Sequence, residues 1–405
     1  MRHGRIILRS GREKPVRNRH PWVFSGAIDR IEGDPKPGDI VDIAAGDGEF
    51  LARGYWNPRS QIQARILSWF DEPIDEEWWS RMLRRAIEAR APRSGREYAC
   101  RLVNAENDFL PGLVVDRYGD WLVLQALTLG IDQRKTQIAA ALASLLSARG
   151  IYERSDVDVR QKEGLQPVSG LLRGEEPPPL IAIEEDGIKL LVDIRHGHKT
   201  GLYLDQRQNR SLLANLIKAE NGFNAPRVLN LFSYTGGFGL HALAAGAGSV
   251  THADASREAL SLAEQATALN NLPSDRSEFV QVDVFQLVRH YAQQGEQFDI
   301  IICDPPKFAH SAGQIDRATR GYRDLNLHCF RLLRPGGLLM TFSCSGAIDA
   351  DLFQKVVFGA LIDSMPTGAG RDAQILCHLG PASDHPTALT FPEGHYLKGL
   401  LLRVY

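Results

Sequence analysis

The chain has 405 residues, 43% of them hydrophobic and 24% charged, with a formal net charge of −2. That length exceeds one ordinary hydrophobic core, so two or three globular domains are expected; no apolar run nears the roughly eighteen residues of a membrane span, and the reading is a cytoplasmic protein with no membrane partner. Five cysteines (Cys100, Cys303, Cys329, Cys344, Cys377), odd in number and without a C-x-x-C pair, argue against a disulfide framework or a zinc site and for free thiols in a reducing compartment.

The near-neutral total hides a basic start. Residues 1–20 carry Arg2, Arg5, Arg9, Arg12, Lys14, Arg17 and Arg19 against Glu13 alone. A solvated arm and a phosphodiester grip fit that charge equally well. Residues 5–8, 22–24, 39–43, 49–55 and 63–69 read as short strands between turns such as Pro37-Gly38 and Gly46-Asp47-Gly48, giving a small β-barrel-like module over residues 1–72. A helix over 75–90, with Trp78, Met82 and Ala86 on one face, opens a central α+β unit over 73–195. Its further elements are strands at 113–116, 121–126 and 151–155, a helix at 133–148, and a hairpin at 181–194 turning at Asp186-Gly187. Two arginine clusters, at 81, 84, 85, 90, 93, 96 and 101 and at 317, 320, 323, 331 and 334, add weight to RNA contact, because a planar guanidinium suits phosphates and base edges.

From about residue 196 strands and helices alternate, the signature of a parallel sheet covered on both faces. Strands are expected at 227–232, 249–254, 278–282, 298–303, 338–343, 373–379 and 400–404, and helices at 239–245, 257–270, 284–293, 320–333 and 349–362. The link before the last strand is too short for a helical crossover, so that strand is expected to be antiparallel. The fold class is therefore α/β: a seven-stranded Rossmann-like domain over 196–405, preceded by the barrel-like and α+β modules.

Ligand chemistry concentrates at the strand ends of this last domain. Phe232-Ser233-Tyr234-Thr235-Gly236-Gly237 follows the first strand, where glycines let backbone amides approach a ligand at a helix N-terminus. Asp254 ends the second strand and can accept from ribose hydroxyls; Asp283 follows the third and can accept from an adenine amine. These positions fit an adenosine without singling one out. Gly237-Phe238-Gly239-Leu240-His241-Ala242 also satisfies G-x-G-x-x-A, which keeps a nicotinamide dehydrogenase in view, although no acid-base histidine is placed by it. Upstream, Lys199-Thr200-Gly201-Leu202-Tyr203-Leu204-Asp205-Gln206-Arg207 reads as a lid over the donor, with Gln206 and Arg207 holding its amino-acid groups, against the alternative of a surface turn.

Asp304-Pro305-Pro306-Lys307-Phe308 closes one apolar run, and Ser343-Cys344-Ser345 closes another. Carbon 5 of cytosine is too electron-poor to attack a methyl donor unaided. Addition of a thiolate to carbon 6 makes it enamine-like, and an acid that shares or donates a proton at ring nitrogen 3 or the exocyclic amine drains charge during attack. Cys344 is the candidate nucleophile and Asp304 the candidate base-holding acid. Cys303 is read as core, and Cys329 and Cys377 as packing. Lys307 is placed to approach a phosphate, with a solvated lysine as the alternative. Phe308 is a candidate surface for stacking a flipped base, or else a core ring.

These motifs, together with His20-Pro21-Trp22-Val23-Phe24-Ser25-Gly26 and His196-Gly197-His198-Lys199-Thr200-Gly201, resemble those of the bacterial ribosomal RNA large subunit methyltransferase I family over nearly the whole chain. The resemblance implies an N-terminal PUA domain, a central domain and a class I methyltransferase domain that makes 5-methylcytosine in 23S ribosomal RNA, free or in a large-subunit precursor, from S-adenosylmethionine. It implies Cys344 as nucleophile. Other RNA cytosine-5 methyltransferases carry a second cysteine in the strand-four loop where Lys307 and Phe308 stand here, so the base that removes the carbon 5 proton is unassigned. The RNA contacts expected of this chain are Arg12, Lys14, Arg17, Arg19, Lys307 and Phe308. Methylation of an exocyclic base nitrogen and a non-catalytic RNA-binding assembly factor are the competing functions, and a homodimer is left open.

Overall fold

A computed structural model describes residues 4–90, 98–219, 223–309, 312–364 and 371–405; Arg2, Arg93 and Arg96 of the basic clusters lie outside them. The chain divides into two compact units. The first comprises residues 1–183, 192–204 and 384–394, and the second residues 184–191, 205–383 and 395–405. No helix among the described residues is long and apolar enough to cross a membrane.

The first unit holds two sheets. A six-stranded sheet runs in the order Trp22–Phe24, Ile62–Ser68, Phe50–Trp56, Ile40–Ala44, Gly4–Leu8 and Ile28–Glu32, and a five-stranded sheet in the order Val168–Gly174, Gly150–Ser155, Trp121–Ala126, Leu113–Tyr118 and Ala99–Asn104. Three of these strands, Ile28–Glu32, Ala99–Asn104 and Val168–Gly174, are absent from the sequence reading. All three lie at sheet edges, where polar residues are tolerated and the apolar alternation weakens. The helix Glu76–Glu88 starts at Asp75, whose carboxylate accepts from Trp78 N at 2.9 Å, and it buries Trp78, Trp79, Met82, Leu83 and Ala86.

In the second unit seven strands form one sheet. They are β1 (Arg227–Leu231), β2 (Ser249–Asp254), β3 (Ser277–Gln281), β4 (Phe298–Cys303), β5 (Leu333–Ser343), β6 (Ala373–Leu379) and β7 (Lys398–Val404), in the spatial order β3-β2-β1-β4-β5-β7-β6. The first five are parallel, and β7 runs antiparallel to both β5 and β6, as expected from its short connection. The helices are α1 (Arg207–Lys218), α2 (Gly237–Ala244), α3 (Arg257–Leu269), α4 (Val284–Gln294), α5 (Ile315–Leu332) and α6 (Ala350–Asp363). Both sheet faces are covered, one by a core that includes Leu229, Ile301, Phe330 and Phe353, the other by one that includes Val228, Ile300, Met340 and Phe238. Buried on both faces, the central strands β1, β4 and β5 read as continuous apolar runs.

Helix α1 was not bounded from the sequence because its buried face carries Arg207, Asn209 and Arg210 beside Leu213, Ala214 and Ile217. Arg210 is satisfied by a bidentate pair with Glu185 at 2.9 and 2.8 Å. Strand β5 begins at Leu333, five residues before the predicted start, with its register broken between Phe298↔Leu333 and Ile300↔Leu338. Cys377 corrects the packing expectation. It is exposed, because β6 is the edge strand and residues 374–378 are uncovered.

The turn after β1 is constrained from below. His252 on β2 is fully buried and stacks on Phe279 with ring centroids 4.8 Å apart and planes 16° apart. Burial pushes its pKa down to about 3, so the ring is neutral. A Cβ on Gly239 would sit 2.2 Å from His252 Cε1, and one on Gly236, where φ is +81°, would sit 2.7 Å from Ala263 Cβ. Gly239 thus gives up its side chain to this imidazole and Gly236 to Ala263 and its left-handed backbone, and Gly239 owes its identity to packing rather than to a dinucleotide. Gly239→Ala is expected to destabilise the unit by about 1–3 kcal/mol in chemical denaturation. Adding His252→Ala, which opens the space, should leave the double variant more stable than the two single losses sum to; strict additivity would show that ring and glycine do not compete.

Candidate active site

The loop from β1 to α2 bends sharply within five residues. Phe232 (φ 55°), Tyr234 (φ 48°) and Gly236 (φ 81°) all adopt left-handed backbone, and two of the three are not glycine. Such strain persists only where surroundings enforce it, and it gathers at ligand sites. Here Ser233 N donates to Ala253 O at 3.0 Å, and Tyr234 N donates to the Asp254 carboxylate at 2.8 Å. The other Asp254 oxygen accepts from Ser256 N at 2.9 Å. Asp254 is therefore held rigidly at the carboxyl end of β2, with acceptor capacity beyond these two bonds.

Within the same turn the hydroxyls of Ser233 and Thr235 are buried and have no hydrogen-bond partner among the described residues. Buried polar atoms are normally paired, so two orphans beside a strained glycine turn mark where a polar ligand completes the structure. Asp283 is exposed at the end of the β3 loop, where it caps α4 by accepting from Gln286 N at 3.1 Å. Gly237 opens α2, whose first amides face this edge of the sheet.

The stretch predicted as a lid is divided. Thr200 is buried in the first unit, donating to Asp116 at 2.6 Å and meeting the Tyr118 hydroxyl at 2.9 Å. Gln206 and Arg207 are buried in the second unit at the start of α1. There Gln206 Nε2 donates to Asp304 at 2.9 Å, while its own oxygen accepts from Asn209 Nδ2 at 2.6 Å. This chain fixes the amide orientation and holds the Asp304 carboxyl group in place. A separation of 98 residues hid that contact from the sequence.

Asp304 follows β4 and Cys344 follows β5. Parallel pairing of the two strands, Cys303 opposite Thr341, brings both ends to one edge. Cys344 is half-buried, with Sγ 3.9 Å from the carbonyl oxygen of Pro305 in the Asp-Pro-Pro loop. The loops are stitched by Ser345, whose hydroxyl accepts from Phe308 N and Ala309 N, each at 3.2 Å, and lies 3.0 Å from the Tyr322 hydroxyl. Burial pushes Tyr322 up to about 12, so it stays a neutral donor. Cys303 is fully buried, and its contact with Cys329 and its burial raise its pKa well above that of an ordinary thiol, as fits a core residue.

Phe308 packs its ring against Tyr322 at 4.8 Å and Phe285 at 5.9 Å, the placement of a packed ring rather than of an open stacking platform. Lys307 is exposed. One residue escaped sequence reading altogether. Lys398, the first residue of β7, is 4% exposed, and Nζ donates to Ser345 O at 2.8 Å and Ile348 O at 2.6 Å. Its only signal was a lone charge inside the apolar run from Leu397 to Leu402.

In the first unit Arg12, Lys14, Arg17 and Arg19 are all exposed. Arg17 pairs with Glu49 at 3.0 and 2.6 Å, and Arg19 lies 5.8 Å over the Trp69 ring. Within the arginine clusters, Arg90 is held by Asp108, Arg101 by Asp116, Arg323 by Asp363 and Arg334 by Asp299, while Arg84, Arg85, Arg317 and Arg320 are exposed.

The PUA-like domain family matches residues 6–69, and the S-adenosylmethionine-dependent methyltransferase family matches residues 124–358, more than half of the chain. The protein is thus an S-adenosylmethionine-dependent methyltransferase with an N-terminal PUA-like domain. The ribosomal RNA large subunit methyltransferase I of Aeromonas salmonicida is 50% identical over 98% of each chain, and that of Escherichia coli O139:H28 is 48% identical over 99% of each. This chain belongs to the ribosomal RNA large subunit methyltransferase I family. A solved methyltransferase in complex with SAH shares the fold, with a TM-score of 0.83 at 23% identity over 98% of this chain and 99% of its own.

Asp254→Ala is expected to weaken S-adenosylmethionine binding about 10- to 100-fold in calorimetry, the cost of one or two hydrogen bonds to a charged acceptor. An unchanged Kd would show that this carboxylate does not face the donor.

Proposed function

We propose that the protein methylates carbon 5 of a cytosine in 23S ribosomal RNA, acting in the cytoplasm on the free RNA or a large-subunit precursor, through a transient bond between Cys344 and the base. The observation that carries this reading is the convergence of the Cys344 thiol and the Asp304 loop at the ends of paired parallel strands, with Sγ 3.9 Å from Pro305 O. Methylation of an exocyclic nitrogen needs no thiol at that place.

S-adenosylmethionine supplies an electrophilic methyl group on a sulfonium. The orphaned hydroxyls of Ser233 and Thr235, the fixed Asp254 carboxylate and the α2 N-terminus at Gly236 and Gly237 suit its adenosine, with Phe232 and Tyr234 shaping the turn and Asp283 reaching the adenine edge. Gln206 and Arg207 are assigned to its amino-acid end. Cys344 adds to carbon 6 as a thiolate. Asp304, oriented by Gln206, faces ring nitrogen 3 or the exocyclic amine, and a proton shared or donated there by its carboxyl group draws charge from the ring while the bond forms. Once carbon 5 is methylated, loss of its proton restores the double bond and expels the sulfur. A paired base cannot enter such a site, so the target cytosine is single-stranded or flipped.

We assign the RNA grip to the module at residues 1–72, where Arg12 and Lys14 are exposed, with residues 73–195 as a central domain and 196–405 as the methyl-transferring domain. Lys307 is the candidate phosphate contact near the reacting base. Cys344→Ala is expected to abolish 5-methylcytosine in mass spectrometry of ribosomal RNA digests, a loss of at least a thousandfold, while S-adenosylmethionine binding survives. Persistent methylation by that variant would favour attack by an exocyclic nitrogen.

A further inference from the structure

We propose that Lys398 is the positioning residue of the nucleophile: its buried ammonium clamps the loop that carries Cys344 and supplies the positive charge that stabilises the Cys344 thiolate. This rests on the reading of Cys344 as nucleophile and deepens it.

Lysine is almost never fully buried unless something compensates its charge. Lys398 is 4% exposed, and both of its hydrogen bonds go to backbone carbonyls, at 2.8 and 2.6 Å, rather than to a carboxylate. Those carbonyls belong to Ser345, next to the nucleophile, and Ile348, three residues on. The lysine is anchored opposite Ser343 in the β5–β7 ladder, one residue before Cys344. Backbone pairing and side chain therefore grip the thiol-bearing loop from both ends. An ammonium has three protons, and two are committed to these bonds, leaving one for a further acceptor.

Charge points the same way. Burial lowers the Lys398 pKa from 10.5 to about 8, and an ionised Cys344 is the largest influence holding it up, followed by Asp349, with Lys307 opposing. At neutral pH the ammonium form still prevails by about ten to one. Attraction is mutual, so a cation that a thiolate stabilises must stabilise the thiolate. The proton that Cys344 gives up passes to solvent on its half-exposed side.

Other groups facing this loop do not replace the lysine. Asp349 is engaged as the cap of α6, accepting from Leu352 N at 2.8 Å, and its charge opposes a thiolate. Tyr322 on α5 is neutral, Asp304 on the β4 loop is a carboxyl group held by Gln206 and brings no positive charge, and Lys307 beside it is exposed and screened by solvent.

The test is the pH dependence of iodoacetamide alkylation of the full-length protein, read per cysteine by peptide mass spectrometry, in wild type and in Lys398→Met. Exposed Cys377 serves as internal reference. Cys344 in wild type is expected to react with a midpoint below that of Cys377, and Lys398→Met to move the Cys344 midpoint up by about one pH unit or more while Cys377 stays put. The methylation kcat should fall with little change in KM for RNA. A wild-type Cys344 midpoint at or above that of Cys377 overturns the proposal, and so does an unmoved midpoint in a Lys398→Met protein that still binds S-adenosylmethionine. Should that variant fail to fold, the wild-type comparison alone decides. If Cys344→Ala still makes 5-methylcytosine, the nucleophile reading fails whatever the midpoints are; if it does not and the midpoint stays fixed, only the role of Lys398 falls.

Discussion

Parallel pairing of β4 with β5 is the constraint on which the chemistry rests. Because Cys303 lies opposite Thr341, the residues that follow each strand emerge on one edge of the sheet within reach of each other. A two-residue slip would carry the thiol away from the Asp304 loop and leave both without purpose. The register is set by burial on both faces: Ile300, Ile301 and Ile302 on β4 and Leu338, Leu339 and Met340 on β5 are all fully buried, and a slip would break this packing.

Around that edge the protein invests in preorganisation. Asn209 fixes Gln206, Gln206 fixes Asp304, Ser345 ties the β4 loop to the β5 loop, and Lys398 ties the β5 loop to β7. All but the first of these ties join segments far apart in sequence. Reacting groups fixed in advance do not have to be ordered in the transition state, which is where such a site gains rate. The strained turn after β1 does the same for the donor. There the buried His252 ring occupies the space that a side chain at 239 would need, Ala263 the space at 236, and Phe232 and Tyr234 are held in left-handed backbone conformation.

Much of this was legible in the sequence, for identifiable reasons. The central strands, buried on both faces, are unbroken apolar runs and were the plainest to read, and the antiparallel last strand followed from its short connection. Asp304 and Cys344 stood out because polar groups closing such runs lie at the ligand edge of an α/β sheet. What escaped notice depended on partners distant in the chain. Helix α1 hides its apolar stripe behind Arg207 and Arg210, and the burial of Arg210 makes sense only with Glu185 in place. Within the arginine clusters, the pairing of Arg90, Arg101, Arg323 and Arg334 with Asp108, Asp116, Asp363 and Asp299 could not be read from order. Gln206 gained its meaning from Asp304, and Lys398 from a loop about fifty residues earlier. Single-residue chemistry could be read from order alone, whereas pairwise electrostatics could not.

The account turns on a covalent bond between Cys344 and the substrate base. RNA carrying fluorine at carbon 5 of the target cytosine tests this directly, because a fluorine there cannot leave as a proton and the bonded species cannot decay. Incubated with S-adenosylmethionine, the wild-type protein should yield a species with the mass of protein plus RNA plus one methyl group, mapping to the peptide that contains Cys344 and missing from Cys344→Ala. No such species from an active wild-type enzyme, or one that maps to another residue, would contradict the account.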